Sequence, residues 1–229
     1  MSAAKSIKVL SGGAMRSLVI EIVPLFERAS GTKVEIEFRL TSVLKKQIED
    51  GAAFDIALLP RPELDALVQA GKIAAGSTAD VTRSAVGLAV RAGAPKPDIG
   101  TVEALKRTLL AARSIAYSDG PSGAYIAGLL ERLGIAPQMK PKTRLTSGPV
   151  ADLVAKGEAE IGMQQIVAIL PVKGAELVGP LPSELQNVII YAAGLAAGGR
   201  DAPAAPDFIA FMGTLEAQRL IRAKGMEPG

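Results

Sequence analysis

Four apolar, strand-like runs in this chain end in small hydroxyl and glycine residues that immediately open a helix. The turns are Ser11-Gly12-Gly13-Ala14, Arg39-Leu40-Thr41-Ser42, Ser118-Asp119-Gly120-Pro121-Ser122-Gly123 and Thr146-Ser147-Gly148-Pro149. The first amides of a helix have no partner within the helix and lie at the positive end of its dipole. Hydroxyl groups beside these amides give each turn several hydrogen-bond donors for an anion. One such turn is ordinary helix capping, but four in one chain predict that several converge on one anionic ligand.

Strands and helices alternate along most of the chain, as the hydrophobic periodicity indicates. Strands are predicted at 7–10, 34–38, 55–59, 84–90, 114–117, 143–145, 160–163 and 188–193. Helices are predicted at 16–29, 43–50, 61–70, 102–112, 124–133, 149–156 and 208–222. Thr101 is the expected N-cap of the fourth helix, and glycines are expected to end the first three. This alternation predicts an α/β fold with mostly parallel sheets.

The order strand–turn–helix–strand–turn–helix–strand occurs in residues 7–60 and again in residues 114–163. The simplest arrangement is two doubly wound lobes with mixed, mostly parallel sheets. We expect lobe I to comprise 1–83 and 193–229 and lobe II to comprise 84–192, with hinge strands near 84–90 and 188–193. Ligands of open α/β sheets bind beyond the C-terminal strand ends, where the four turns lie. A ligand between the lobes would meet all four turns, and closure about the hinge would enclose it.

Composition excludes several classes of chemistry. The chain has no Cys and no His, which excludes disulfides, thiolate nucleophiles, His-based triads and ordinary zinc sites. No acidic cluster has calcium-loop spacing, so we expect neither a metal nor another cofactor. The net charge is only +3 and the longest basic run is Lys45-Lys46, so a nucleic-acid partner is not expected. A small anion needs only a local field, and the overall charge does not oppose it.

The sequence shows neither a leader nor a membrane span. The first residues run directly into a strand without a long apolar segment, and no stretch of about 18 uninterrupted apolar residues is present. We therefore expect the protein to be periplasmic if a leader has been removed from this chain, and cytoplasmic otherwise.

Several motifs resemble those of type II periplasmic solute-binding proteins, in the branch that includes the molybdate-binding proteins of ABC transporters. The matching segments occur in the family's order along nearly the whole chain. They are the Ser11-Gly12-Gly13-Ala14 turn, residues 44–51 followed by Phe54-Asp55-Ile56, residues 118–125, residues 157–162, residues 181–185 leading to Tyr191, and residues 208–225. The resemblance implies the two-lobed type II fold, a monomer, and an ABC permease as a partner.

In that family, serine hydroxyls and backbone amides from both lobes hold a desolvated oxyanion. By position, the resemblance implicates Ser11, Gly12, Thr41 and Ser42 from lobe I, and Ser122, Gly123, Tyr125, Ser147 and Gln165 from lobe II; Arg39, in the second turn, is a further candidate ligand contact from the residues themselves. This chain departs from the molybdate binders at two places. Gln164-Gln165 stands where they usually carry a Tyr, and Arg39 stands where they usually have small residues. The planar guanidinium of Arg39 suits a carboxylate, which favours a di- or tricarboxylate as an alternative to molybdate.

Each of these residues also has a purely structural interpretation. Ser11, Thr41 and Ser42 could be helix caps. Arg39 could pair with Glu37 or Asp50 on the surface, and Tyr125 could belong to the packing of lobe II. Asp119 would repel an anion, so we interpret it as a helix cap rather than as a ligand contact.

Two functions remain open from the sequence. The first is a solute-binding protein that closes about its hinge on a small oxyanion or on a di- or tricarboxylate. The second, implied by relatives in the same branch, is an aconitate-isomerase-like enzyme that moves an allylic proton on a tricarboxylate. Such an enzyme needs a base and donors for the developing charge. The sequence names no catalytic residue for it, and the absence of an evident base favours the binding protein.

Overall fold

The computed structural model describes residues 6–119, 121–198 and 202–229. The strands are β1 Ser6–Gly12, β2 Lys33–Arg39, β3 Ile56–Pro60, β4 Ala79–Arg91, β5 Ile115–Ser118, β6 Thr143–Thr146, β7 Ile161–Gln165, β8 Ala175–Pro180, β9 Val188–Leu195 and β10 Glu227–Pro228. The α-helices are α1 Arg16–Ser30, α2 Thr41–Glu49, α3 Arg61–Gln69, α4 Val102–Ala111, α5 Pro121–Arg132, α6 Ala136–Met139, α7 Val150–Ala155, α8 Ile166–Ile169, α9 Ala204–Met212 and α10 Leu215–Ala223. The α/β architecture predicted from the alternation is confirmed.

The contacts divide the chain into two units, which are described separately. Unit 1 comprises Met1–Arg83 and Ile189–Gly229, and unit 2 comprises Ser84–Val188. The chain therefore leaves unit 1 within β4 and returns to it within β9.

Unit 1 is built on a sheet in the order β2-β1-β3-β9. The first three strands are parallel, and β9 runs antiparallel to β3. Strand β3 is buried on both faces at Ile56–Leu59, as expected for a central parallel strand. Helix α1 buries the stripe Leu18, Val19, Ile22 and Phe26, whose spacing matches one helix face. The Phe26 ring meets Phe208 of α9 edge to face, with 5.0 Å between the ring centroids.

Unit 2 repeats this plan with the order β4-β7-β5-β6, and β8 pairs with β4 as well. Strands β7, β5 and β6 are parallel, while β4 runs antiparallel to β7 and β8. Its core is aliphatic and includes Leu88, Leu105, Ile126, Leu129 and Met163. In both units, therefore, three parallel strands point their C-terminal ends at one edge of a sheet.

Three of the predicted elements differ from the structure by three residues or more. The strand predicted at 84–90 begins at Ala79, as β4. The C-terminal helix predicted at 208–222 is two helices, because α9 ends at Met212, with Gly213 as its C-cap, and Thr214 starts α10 by accepting a hydrogen bond from Ala217 N at 3.3 Å. The helix predicted at 124–133 begins three residues earlier, at Pro121, which suits the first turn of a helix. Gly120, part of the third predicted turn, lies outside the described residues.

Candidate functional site

The first two predicted turns adjoin at the C-terminal edge of unit 1. The parallel register pairs Ser11 with Phe38 and Gly12 with Arg39, so β1 and β2 end side by side. A Cβ atom placed on Gly12 would lie 3.4 Å from Thr41 Oγ1, at the start of α2. We call the strand ends Ser11-Gly12 and Arg39, together with Thr41 and Ser42, the unit 1 edge.

The hydroxyl groups of the unit 1 edge are weakly engaged. Ser11 is fully buried, and its hydroxyl donates to the Gly12 carbonyl at 3.3 Å, close to the upper limit for a hydrogen bond. Thr41 and Ser42 are the first residues of α2, so neither is the N-cap; that position belongs to Leu40, which makes no side-chain cap bond. The structure thus leaves the amides of the first turn of α2 without a side-chain cap, as an anion site requires.

Arg39 pairs with Glu37 on its own strand, one of the two partners considered from the sequence. Arg39 Nε donates to Glu37 Oε1 at 3.2 Å, and the Arg39 side chain is 59% exposed. Gln47 Nε2 donates to the same oxygen at 3.2 Å. These hydrogen bonds, that of Gln47 first and that of Arg39 next, hold the pKa of Glu37 below its usual value. An exposed pair of this kind contributes little stability, so Arg39 can exchange Glu37 for a ligand at low cost.

A second cation near this edge was missed by the sequence reasoning. Arg16, the first residue of α1, holds its guanidinium carbon 4.4 Å from the centroid of the Phe38 ring. Phe38 lies directly opposite Ser11 in the β1–β2 pair. The available signal was an arginine just after the first turn and an aromatic residue at the end of the neighbouring strand, a combination that favours a cation–π contact.

Tyr191, on β9, lies beside the C-terminal end of β3, the third parallel strand of unit 1. In β9 it is paired with Pro60, the last residue of β3. Burial, with a smaller contribution from the charge of Glu63, raises the pKa of Tyr191 to about 12. Its hydroxyl therefore stays protonated well above neutral pH.

The third and fourth predicted turns adjoin in unit 2. The β5–β6 register pairs Ser118 with Thr146, and Asp119 N donates to the Thr146 carbonyl at 3.0 Å. Thr146 Oγ1 accepts from Gly148 N at 3.0 Å, and the hydroxyls of Ser118 and Ser122 are 2.9 Å apart. A Cβ atom on Gly123 would overlap the Ser118 carbonyl, so only glycine lets α5 begin this close to the end of β5.

Two of the site residues predicted for unit 2, Tyr125 and Ser147, have opposite surroundings: one is packed and the other is exposed. The Tyr125 hydroxyl donates to the Leu185 carbonyl at 2.8 Å and accepts from Arg132 Nη2 at 3.0 Å, and its ring packs against the core of unit 2. The structure therefore engages Tyr125 in packing, the alternative considered from the sequence. Ser147 directly follows β6 and is exposed.

The glutamine pair ends β7, the third parallel strand of unit 2. Gln164 Oε1 accepts from Val150 N at 2.9 Å and so caps the start of α7. Gln165 is also buried, and neither Oε1 nor Nε2 of its carboxamide has a hydrogen-bond partner among the described residues. We call Ser118, Ser122, Gly123, Thr146, Ser147 and Gln165 the unit 2 edge.

A cavity of about 660 Å³ in unit 2 lies away from this edge. Ser114 and Ile161, at the N-terminal ends of β5 and β7, line it together with Arg113 and Glu160. Arg113 donates to Glu160 Oε2 through its backbone N at 2.9 Å and its Nε at 3.0 Å, and the backbone bond is the main cause of the lowered pKa of Glu160. Because the predicted turns lie at the opposite strand ends, this cavity is not the predicted anion site.

The described parts of the chain show neither an acidic metal cluster nor a helix that could span a membrane. Within residues 6–119, 121–198 and 202–229, no group of three or more acidic side chains is arranged to hold a metal ion. Over the same ranges, no helix is both long enough and apolar enough to cross a membrane.

Known proteins of similar sequence and fold match this chain over nearly all its length. One relative, the aconitate isomerase of a Pseudomonas species, is 31% identical over 230 residues, which cover 97% of this chain and 88% of the relative. A solved structure from Clostridium difficile, described as the substrate-binding domain of a molybdenum ABC transporter, superimposes with a TM-score of 0.85 at 16% identity and covers 98% of this chain and 99% of its own. The periplasmic molybdate-binding protein of Azotobacter vinelandii gives a TM-score of 0.74 at 18% identity, covering 97% of this chain and 99% of its own.

These similarities confirm the type II periplasmic-binding-protein fold that the motifs predicted. The family model described as "Bacterial extracellular solute-binding protein" matches residues 7–227. That range takes in both units and all four predicted turns. This chain belongs to the bacterial extracellular solute-binding protein family.

Proposed function

We propose that this chain is a solute-binding protein that binds a small anion, either a compact oxyanion or a di- or tricarboxylate, through the unit 1 edge and the unit 2 edge. One observation carries the proposal. In each unit, parallel strands in register end in hydroxyl and glycine turns that open directly into helices, as in the pairs Gly12 with Arg39 and Ser118 with Thr146. The site residues chosen from the sequence, and hinge closure between the lobes, remain predictions.

The donors at these edges are of the right kind for useful affinity. Binding between micromolar and nanomolar requires about 8–12 kcal/mol net. A neutral hydrogen bond contributes about 0.5–1.5 kcal/mol and one to a charged group about 1.5–3 kcal/mol. Roughly six to ten bonds from helix amides, hydroxyls and Arg39 would reach that range after the cost of ordering both partners.

Two findings favour a carboxylate over molybdate. Arg39 brings a planar fork of donors to the unit 1 edge, where its present partner is itself a carboxylate, that of Glu37. The 31% identical relative is an aconitate isomerase, whereas the similar molybdate-associated structures are 16–18% identical and support the fold alone.

The family and the structural neighbours support a role in transport. The family description is extracellular, and one neighbour comes from an ABC transporter. We propose that the protein works in the periplasm and presents its bound solute to an ABC permease.

A second candidate function, isomerisation of a tricarboxylate, is favoured by the aconitate isomerase relative. The reaction removes a proton next to a carboxylate and returns it at the other end of the allylic system. Tyr191, which stays protonated, would donate to the developing charge.

One experiment separates the two functions. Isothermal titration and thermal shift with molybdate, sulfate, phosphate, citrate and cis- and trans-aconitate report binding, and the ultraviolet absorbance of trans-aconitate reports turnover. A ligand present at 100 times its dissociation constant should stabilise the protein by about 2.7 kcal/mol. Binding without turnover supports the solute-binding protein, and turnover of trans-aconitate supports the isomerase. The absence of both binding and turnover would contradict both proposed functions.

A further inference from the structure

Two buried polar side chains, Gln165 at the end of β7 and Ser84 on the neighbouring strand β4, lack the partners that such groups normally have. Gln165 is only 8% exposed and Ser84 is fully buried. Within the described residues, neither the Gln165 carboxamide atoms Oε1 and Nε2 nor Ser84 Oγ has a hydrogen-bond partner. The large majority of buried polar side-chain atoms in native proteins do have one, so this pair of residues requires an explanation.

The two side chains share one face of the sheet in unit 2. Gln165 is paired with Val86 in the antiparallel β4–β7 ladder, and Ser84 lies two residues before Val86 on β4. Since side chains alternate along a strand, Ser84, Val86 and Gln165 lie on the same face. The backbone here is fixed by Gln186, which accepts from Val86 N at 2.8 Å and donates to the Val86 carbonyl at 3.0 Å.

The location is the C-terminal end of the parallel strands. The β5–β7 register that pairs Ala116 with Gly162 brings Ser118 level with Gln164, one residue before Gln165. Gln165 therefore ends its strand one residue beyond the level of Ser118 and Thr146, at the same C-terminal edge of the sheet.

The chemistry of a carboxamide limits what can satisfy it. Gln165 offers one acceptor oxygen and two N–H donors, and Ser84 offers a hydroxyl that both donates and accepts. A fully deprotonated oxyanion or carboxylate has acceptors only, so it would pair with Nε2 and leave Oε1 unsatisfied, which is costly in a buried site. An O–H group on the ligand satisfies both sides, because it donates to Oε1 and accepts from Nε2 or from Ser84 Oγ.

We infer that the preferred anion carries an O–H group beside its negative charge, and that Gln165 and Ser84 recognise this group. The inference rests on the proposed anion-binding function and narrows its ligand class. A hydroxycarboxylate and hydrogen phosphate share the required chemistry, whereas sulfate, molybdate and simple carboxylates lack it.

Matched ligand pairs test this class. Citrate and tricarballylate differ by a single hydroxyl, and hydrogen phosphate carries an O–H group that sulfate, a tetrahedral anion of equal charge, lacks. Titration calorimetry of the full chain at pH 7.5 should show the O–H member of one pair binding about tenfold more tightly than its partner, or more. The pair that shows the preference identifies whether the O–H comes from a hydroxycarboxylate or from a phosphate.

Matched variants assign the preference to the residues. Gln165→Met and Ser84→Ala should each bring the ratio between the affinity for the O–H ligand and the affinity for its matched partner towards one. Neither should lower the melting temperature of the unliganded protein, because no protein partner is lost. Gln164→Met is the control on the same strand, with equal burial: it removes the acceptor of Val150 N, so it should lower the melting temperature and leave the ratio unchanged.

Each result decides the inference. Equal affinities within both ligand pairs would overturn it and leave the anion-binding function standing. Binding of none of the four anions would overturn both. A fall in melting temperature for Gln165→Met as large as that for Gln164→Met would assign Gln165 a structural role instead.

Discussion

The unit 1 edge and the unit 2 edge are built on the same plan but present different chemistry. At the unit 1 edge, Arg39 lies exposed at the end of β2 and Arg16 lies against Phe38. The turns of unit 2, residues 118–123 and 146–149, contain no Lys or Arg and include the acidic Asp119. Their polar groups bond largely to one another, as Ser118 does with Ser122 and Thr146 with Gly148. Gln165, beside them, has no described partner.

This difference suggests a division of roles. Positive charge from unit 1 would supply attraction to any small anion, since electrostatic attraction is not selective among anions of equal charge. Neutral, directional groups from unit 2 would choose among anions, because an unsatisfied buried polar group penalises the wrong ligand. The predictions below test this comparison, beginning with the largest expected effect.

The start of α5 is the most sensitive point of unit 2. In Gly123→Ala the new Cβ atom would overlap the Ser118 carbonyl, and the backbone must move to accommodate it. We expect the free energy of unfolding to fall by about 3 kcal/mol, the upper range for overpacking. Urea denaturation followed by circular dichroism measures this loss.

Two glycine controls sharpen that result. Gly128→Ala, in the middle of α5, meets nothing within 4 Å and should keep or slightly raise stability, since alanine is the better helix former. Gly12→Ala at the unit 1 edge places its Cβ atom 3.4 Å from Thr41 Oγ1, which the fold should tolerate. Equal losses at Gly123 and Gly128 would contradict the close approach of α5 to β5.

Arg39 should act on affinity rather than on stability. Arg39→Gln removes a charged donor from the unit 1 edge, so we expect anion binding to weaken about 10- to 100-fold, equivalent to about 1.5–3 kcal/mol. Titration calorimetry with citrate measures it. The control is Arg144→Gln on β6, an exposed arginine of unit 2, which should leave the affinity within about twofold. If Arg144→Gln weakens binding as much as Arg39→Gln does, the contribution of positive charge to affinity is not specific to the unit 1 edge.

Substitutions of two threonines, Thr146 at the end of β6 and Thr41 just after β2, should differ in their effect on stability. Thr146→Val deletes the acceptor of Gly148 N and should cost about 1 kcal/mol of unfolding free energy. Thr41→Val removes a hydroxyl that makes no hydrogen bond with the described residues, so it should change stability little and weaken anion binding instead. Thermal denaturation measures the stability of both variants, and calorimetry measures their affinity for the anion. A larger loss of stability in Thr41→Val than in Thr146→Val would contradict the interpretation of the Thr41 hydroxyl as a free donor at the unit 1 edge.

The smallest expected effect is the pH dependence contributed by Glu37. Its pKa in the folded protein lies below the ordinary value of 4.5, first because of the Gln47 bond and next because of Arg39. The ionised form is therefore favoured by folding, and its contribution is fully present above pH 4.5 and lost as the pH falls through the lowered pKa. Urea midpoints between pH 6 and pH 3 should fall more for the native chain than for Glu37→Gln. Identical slopes would show that Glu37 contributes nothing.

Local sequence signals predicted most of the scaffold. The α1 stripe and the positive-φ glycines after α1, α2 and α3 lie where periodicity and helix-stop rules put them. Thr101 caps α4 through a 3.1 Å bond from Ala104 N, as expected. Strand β8 was missed because Ala175–Pro180 lacks a clear alternation and ends in Gly-Pro, which reads as a turn.

The candidate site was only partly predictable, because partners from distant parts of the chain decide it. The turns could be located from Ser, Thr and Gly beside apolar runs. That Tyr125 bonds to Leu185, 60 positions away, or that Gln164 Oε1 has a partner while Gln165 Oε1 has none, depends on tertiary packing. The stacking of Arg16 on Phe38 likewise depends on the β1–β2 register.

Titration calorimetry of citrate and of tricarballylate with the native chain, Arg39→Gln and Gln165→Met is the most direct test that both strand-end edges serve anion binding. We predict one citrate per chain, weaker binding in both variants, and a lost preference over tricarballylate only in Gln165→Met. Native affinity in both variants would contradict the assignment of the site to these edges.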